Sequence, residues 1–362
     1  MNKEQPLVLT EEQLTAGAIG LLKELIATPS FSREEDNTAV VIEKFFRSFD
    51  IPTHRYLNNV WVRNLHFNET LPTILLNSHH DTVKPNRSYT LDPFSPVEKD
   101  GKLFGLGSND AGGCLVSLAA TFLYFYNRRT GYNIVFAASA EEEISGKNGI
   151  ESLLPLLPEI DCAIVGEPTN MQLAVAERGL MVLDAMAKGI AGHAARNEGE
   201  NAIYKAIQDI KWIASFQFAR ISDMLGPVRM NVTSIETENK AHNVVPSECS
   251  FVIDVRINEL YTHEEVMDII KTNLQSEVTP RSFRLRSTSI AMDHPLVKAG
   301  LKSGREPYGS PTSSDKALMP FPALKMGPGD SARSHTADEF IYLDEIREGI
   351  RLYIELIEAV VL

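Results

Sequence analysis

The chain of 362 residues carries 35 basic and 48 acidic residues, a formal net charge of −13, with 43% hydrophobic and 23% charged content. These values describe an ordinary soluble globular protein long enough for two domains, and the acidic balance argues against nucleic acid or an anionic membrane as the main partner. The three cysteines, Cys114, Cys162 and Cys249, are far apart and form no Cys-x-x-Cys pair, so neither a disulfide framework nor a thiolate zinc site is indicated.

The opening residues Met1-Asn2-Lys3-Glu4-Gln5 lack the apolar core of a signal peptide, and no run approaches the length of a membrane span, so a cytoplasmic protein is expected. Thr10-Glu11-Glu12-Gln13 is a capping box that opens a helix with Leu14, Ala18, Leu21, Leu22 and Ile26 on its apolar face. Ser32 with Glu35 repeats the device before a second amphipathic helix. Asn59–Val62 and Thr73–Leu76 read as strands, the second running into Asn77-Ser78-His79-His80-Asp81. Strand residues two apart share a face, so His79 and Asp81 project together from the strand end, where open α/β sheets place their crevices. A neutral imidazole binds a transition metal and a nearby carboxylate orients it; the plain alternative is a hydrogen-bonded turn.

Residues 84–103, rich in Pro, Asn and Asp, read as a long loop. The glycine-rich Gly105-Leu106-Gly107-Ser108-Asn109-Asp110-Ala111-Gly112-Gly113 follows and leads into an apolar helix from Leu115 to about Tyr126. Its spacing matches neither phosphate-loop nor dinucleotide fingerprints, so the glycines serve tight turning and close approach. A strand Asn133–Ala140 runs into Glu141-Glu142-Glu143, and Cys162–Val165 into Gly166-Glu167-Pro168. Successive strands thus end in acids or histidine, and the alternation of helix and strand predicts an α/β fold, a mostly parallel sheet sandwiched by helices.

From about residue 177 the pattern changes. Strands are expected at 179–190, 228–236, 247–257 and 282–290, with helices at 200–217 and 263–276. This βαββαβ order predicts a small inserted α+β, ferredoxin-like domain. The expected division is residues 1–176 and 291–362 for the main domain and 177–290 for the insert. A last helix is expected from Asp344.

Three adjacent acids, Glu141, Glu142 and Glu143, are costly after an apolar strand, because like charges repel and burial adds to the cost. A solvated turn before a helix is one explanation; charge compensation by metal ions is the other. Histidines with several carboxylates and no cysteine suit zinc or a similar divalent ion. A carboxylate outside the ligand set could then act as base.

With these residues in view, the chain resembles the dinuclear zinc deacylases and peptidases that include acetylornithine deacetylase and succinyl-diaminopimelate desuccinylase. Five motifs match in order across nearly the whole length: His79-x-Asp81, Gly105-x-Gly107-x-x-Asp110, Glu142-Glu143, Gly166-Glu167-Pro168, and His335 followed by Asp338-Glu339-Phe340. The resemblance implies two zinc ions per subunit, with cobalt or manganese as substitutes. His79, Asp110 and Glu167 would surround one ion, and Asp110, Glu143 and His335 the other, with Asp110 bridging. Glu142 would be the general base, Asp81 would orient His79, and the Asp110–Ala111 peptide would be cis.

By the same resemblance His193, in Gly192-His193-Ala194-Ala195, would reach the site of the partner subunit in a homodimer formed through the insert. Its default reading is a surface turn residue. Arg178, Asn243 and Arg256 match substrate-binding positions, Arg256 having a salt bridge within the sheet as its alternative, and Ser313 and Ser314 match a loop lining the site. The glycine-rich stretch before His335 points to acetylornithine deacetylase, or to hydrolases releasing lysine or ornithine from a carrier protein, more than to the desuccinylases. The expected activity is hydrolysis of an N-acyl amide of a basic amino acid. Acetylcitrulline and succinyl-amino-acid deacylases, a dipeptidase and a non-catalytic metal-binding scaffold are the alternatives.

Overall fold

The computed structural model describes residues 9–196 and 198–362; the reading of Met1–Gln5 lies outside them. Among the described residues, one compact unit holds the chain up to Val175 with Ile290–Tyr308 and Ser314–Leu362, and a second holds Ala176–Ser289 with Gly309–Ser313.

In the first unit the strands pair in the order His54–Tyr56, Asn59–Arg63, Asn133–Ser139, Thr73–His79, Cys162–Val165 and Ala323–Lys325. Only its centre is parallel: Thr73–His79 pairs in parallel with both Asn133–Ser139 and Cys162–Val165, which in turn pairs in parallel with Ala323–Lys325. The flanking strands at residues 54–63 are antiparallel, so the sheet is mixed. The central strands are buried along their full length, which is why they read as continuous apolar runs. Alternate residues divide between two cores. Ile74, Leu76, Ile134 and Phe136 pack with the helices Glu11–Ile26, Gly113–Phe125 and Leu343–Val361. Leu75, Val135 and Ala137 pack on the other face with Ile150, Leu153 and Met319.

The first capping box forms as expected on Thr10 and Gln13. The second does not. Glu35 is itself the cap residue of the helix Asp36–Arg47 and makes no capping bond; its carboxylate is fully buried. The expected loop 84–103 contains a hairpin, Val97–Lys99 with Lys102–Phe104. Asp100 and Gly101 turn it with φ of 54° and 72°, the pair of positive values that an Asp-Gly two-residue hairpin turn needs.

The second unit is an antiparallel sheet in the order Arg229–Glu236, Glu248–Ile257, Gly179–Lys188, Glu277–Pro280. Alternate strand residues such as Met181, Leu183, Phe251 and Ile253 pack beneath the helices Ala202–Ser215 and His263–Asn273. The last strand is Glu277–Pro280 rather than 282–290, of which Thr288–Ser289 pairs with Ala176 and Glu177. Buried Asp209 is the physical reason: its carboxylate accepts the N–H groups of Gln275 (3.0 Å) and Ser276 (2.9 Å) and the Ser276 hydroxyl (2.5 Å). Those bonds take the donors that would have continued the helix and start the strand early.

Candidate metal centre

Three parallel strands run in the same direction, so their C-terminal ends deliver His79, the Glu141–Glu143 turn and Glu167 to one place. Asp110 comes from the glycine-rich turn before the helix Gly113–Phe125, and its peptide bond to Ala111 is cis. Gly107 in that turn has φ of 74°, and a Cβ there would lie 2.5 Å from the Thr82 methyl; both facts require glycine. His335 arrives from the C-terminal loop with φ of 59°.

The distances are informative. His79 Nε2 lies 3.4 Å from Asp110 Oδ1, and His335 Nε2 lies 3.6 Å from Asp110 Oδ2. Asp110 therefore turns one oxygen to each imidazole. Two ligands at roughly 2.0–2.1 Å from one tetrahedral ion sit about 3.3–3.4 Å apart. Both separations are close to that edge and too long for good hydrogen bonds. Glu142 Oε2 and Glu167 Oε1 each lie 3.9 Å from His79 Nε2, and Glu143 Oε2 lies 3.0 Å from His335 Nε2.

Ligand atoms of His79, Glu142 and Glu167, and of His79, Asp110 and Glu143, fall within 4.8 Å of one another. These groupings differ from the sets implied by the resemblance, which use Glu142 as base and give His335 to the second ion. Asp110 nevertheless lies between the two imidazoles, with one oxygen toward each.

The electrostatics agree with a cation site. Burial by itself would strip the proton from His79, yet Asp110, Asp81, Glu142 and Glu167 outweigh it and hold the imidazolium well above its ordinary range. Burial pushes the Glu142 carboxyl well above the usual range; His79 opposes that shift, while Glu167, Asp315 and Glu143 add to it. Glu143 holds His335 up to about 9. A cation among these groups would compensate the same carboxylates, and metal binding requires the imidazoles to be neutral. The donor set, two imidazoles and several carboxylates without thiolate, fits zinc, cobalt or manganese.

Supporting groups surround the donors. The Asp81 carboxylate accepts N–H bonds from Glu142 (3.0 Å) and Glu143 (3.2 Å) as well as the Ser32 hydroxyl (2.6 Å). Its main-chain oxygen is nearer to His79 Nδ1 than its carboxylate is, 3.0 Å against 3.4 Å. Asp81 thus holds the acidic turn as much as it orients the histidine. Glu339, quoted in a sequence motif but given no role, accepts N–H bonds from Gly107 (3.1 Å), Asn109 (2.8 Å) and Asp110 (2.9 Å). Burial raises its carboxyl to about 7 against those donors. Asp315, which the sequence reading passed over, is buried and accepts from Ser139 Oγ (2.5 Å) and Asn77 Nδ2 (3.0 Å). Its only advance signal was its place after Ser313-Ser314.

The remaining expected residues lie in the second unit or at its border. Exposed His193 stands on the two-residue strand Gly192–His193, paired with Val244–Val245, and its Nδ1 accepts the Ala195 N–H at 3.2 Å. Asn243 is its neighbour: the Asn243 carbonyl accepts the Ala194 N–H at 3.0 Å. Arg256 forks onto Asp254 at 2.8 and 3.1 Å, the salt bridge given as its alternative. The Arg178 guanidinium is bound to the carbonyls of Leu225 and of Pro227 (2.7 Å), and the Ser313 hydroxyl donates to the Arg178 carbonyl at 2.9 Å. Ser314, in the first unit, caps the short helix Asp315–Leu318.

Comparison with known proteins agrees with this architecture. Residues 75–359 match the model of peptidase family M20/M25/M40. The chain is 27% identical to a succinyl-diaminopimelate desuccinylase of Paracoccus denitrificans, over 79% of this chain and 82% of that one. It is 26% identical to the enzyme of the same name from Ehrlichia ruminantium, over 94% and 97%. Among solved structures it resembles the aminopeptidase PepT of Bacillus cereus, with a TM-score of 0.76 at 19% identity over 97% and 99%. It also resembles the YXEP protein of Bacillus subtilis, described as a dinuclear metal binding peptidase from the M20 family, with a TM-score of 0.71 at 16% identity over 95% and 98%.

Proposed function

The chain belongs to peptidase family M20/M25/M40, and we propose that this metal-dependent hydrolase removes the acyl group from the amino nitrogen of a small N-acyl amino acid. The observation that carries the reading is the two-sided contact of Asp110 with His79 and His335, with Glu142 beside it. His79, Asp110 and Glu167 would hold one zinc ion, and Asp110, Glu143 and His335 the second. Bound ions would polarise the scissile carbonyl and acidify a water.

Glu142 takes the proton of the attacking water and delivers it to the leaving nitrogen, the task of a carboxylate that is not a metal ligand. The Asp81 carboxylate keeps that turn in place through the Glu142 and Glu143 N–H groups. His193, Arg178, Asn243, Arg256 and Ser313 with Ser314 are read as substrate-facing groups, His193 being supplied by the partner in a homodimer. For Arg178 and Arg256 this requires the guanidinium to leave the partners it now holds.

Amine release by the zinc-loaded protein from N-acetylornithine, N-acetylcitrulline, N-succinylornithine, N-succinyl-diaminopimelate and a few dipeptides, with and without chelator, tests the reading. The curated relatives named desuccinylases favour the succinyl compounds, and the glycine-rich loop before His335 favours N-acetylornithine. Chelator-sensitive turnover of one acyl amino acid is the expected result. Turnover of dipeptides alone would make the chain a peptidase, and silence across the panel with two ions bound would remove the deacylase reading.

A further inference from the structure

The turn Ala140–Glu143 carries the proposed base, yet it is neither strand nor regular helix at its start, and Glu141 has φ of 54°. Buried backbone donors must be satisfied by something. Here each of four successive N–H groups is received by a buried side chain from elsewhere in the first unit. Asn59 Oδ1 accepts from Ala140 at 3.0 Å and Glu35 Oε1 from Glu141 at 3.2 Å. Asp81 accepts from Glu142 at 3.0 Å and Glu143 at 3.2 Å.

Glu35 is anchored for this purpose. It is fully buried, its Oε1 also accepts the Arg33 N–H at 2.6 Å, and its Oε2 accepts Asn58 Nδ2 at 2.9 Å. Ser32, three residues earlier, donates to Asp81 Oδ2 at 2.6 Å. Ser32 and Glu35, the two members of the capping box that does not form, therefore both act on the catalytic turn, Glu35 directly and Ser32 through Asp81.

We propose that Glu35 is a positioning residue for the base: by binding the Glu141 N–H it fixes the left-handed residue from which Glu142 and Glu143 are aimed. The inference rests on the reading of Glu142 as base, and geometry alone supports it. A group misplaced by about 1 Å costs on the order of 100-fold in rate, so loosening this turn is felt in turnover more than in substrate binding.

The test compares Glu35→Ala, Glu35→Gln and Ser32→Ala in the zinc-loaded full chain by hydrogen exchange of the peptide spanning residues 140–146, by zinc content and by kinetics. Glu35→Gln keeps an oxygen to accept the Glu141 N–H. The expected result is loss of exchange protection in Glu35→Ala, with its retention in Glu35→Gln. With the substrate found in the panel, kcat of Glu35→Ala falls by about 10- to 100-fold at near-constant KM, and Glu35→Gln recovers most of it. Ser32→Ala, the milder change, loses protection at residues 142 and 143 with a smaller fall in kcat.

Undiminished protection in Glu35→Ala, or a loss of kcat no greater than the loss of folded, metal-loaded protein, overturns the proposal. If Glu35→Ala does not fold, Asn58→Ala decides in its place, because it removes the Asn58 amide that holds Glu35 Oε2: lost protection in the turn with a fall in kcat supports the proposal, and full protection with wild-type kcat overturns it. Should no panel substrate turn over, the exchange data still decide the role of Glu35, and only the deacylase reading fails.

Discussion

The two units differ in where they concentrate charge: both carry exposed ion pairs, but among the described residues only the first gathers buried carboxylates around imidazoles. In the second, acids meet cations on the surface: Arg281 pairs with Asp184 and Lys188 with Glu277, with side chains more than half exposed. Such pairs are worth roughly 0–1 kcal/mol each and weaken in salt. In the first unit, Asp81, Asp110, Glu142, Glu143 and Glu167 crowd around two imidazoles, and the His79–Asp81 pair is at most 1% exposed. Burying charge costs several kcal/mol per ion unless it is compensated. The lesson is that the insert pairs these acids with its own basic side chains at the surface, while the main unit gathers carboxylates around imidazoles in a cluster whose groups could hold a metal ion.

The contrast can be pressed experimentally. The largest effect is expected for Glu142→Gln, which keeps both ions bound but lowers kcat by about 1000-fold or more. Turnover at the wild-type rate would take the base role from Glu142. Asp110→Ala comes next: removing the shared carboxylate should leave fewer than two zinc ions per chain by elemental analysis, and a stoichiometry of two would show that Asp110 does not bridge.

Metal removal follows. Saturating zinc at about 1000 times its dissociation constant stabilises by roughly 4 kcal/mol, a rise of several degrees in Tm over the chelated protein. An unchanged melting curve would mean that the acidic cluster tolerates its own repulsion.

The smallest effect belongs to the insert. Its hydrogen bonds with Arg286 and with backbone N–H hold exposed Glu264 down to about 2. A depressed carboxyl stabilises above its unfolded value of about 4.5 and loses that contribution as pH falls toward 2. Glu264→Gln should therefore lower Tm by a degree or less at pH 6, and the difference should shrink by pH 3. A drop comparable to that on chelation would contradict the division drawn between the two units.

Much of this was legible in the chain itself. Thr73–Leu76, Asn133–Ser139 and Cys162–Val165 announce themselves as buried strands by uninterrupted apolar residues, and each runs into His79, Glu141–Glu143 or Glu167 within a few positions. The alternation in Gly179–Lys188 and Glu248–Ile257 marks a sheet with one covered face. Local readings failed where a distant side chain captured a backbone group. Asp209 ended a helix early 66 residues away, and Glu35 left its own helix for an N–H 106 residues on.

That boundary is physical. Periodicity, capping signals and glycine placement act within one element, so the sequence alone determined the strands, their polar ends and the order of the five motifs. Which oxygen of Asp110 faces which imidazole, and why Glu339 reaches 229 residues back to the Asp110 N–H, depend on the packing that closes those long loops. Nothing in local residue order fixes partners over such distances; only the tertiary structure, by burying these donors and acceptors away from water, decided which of them had to meet.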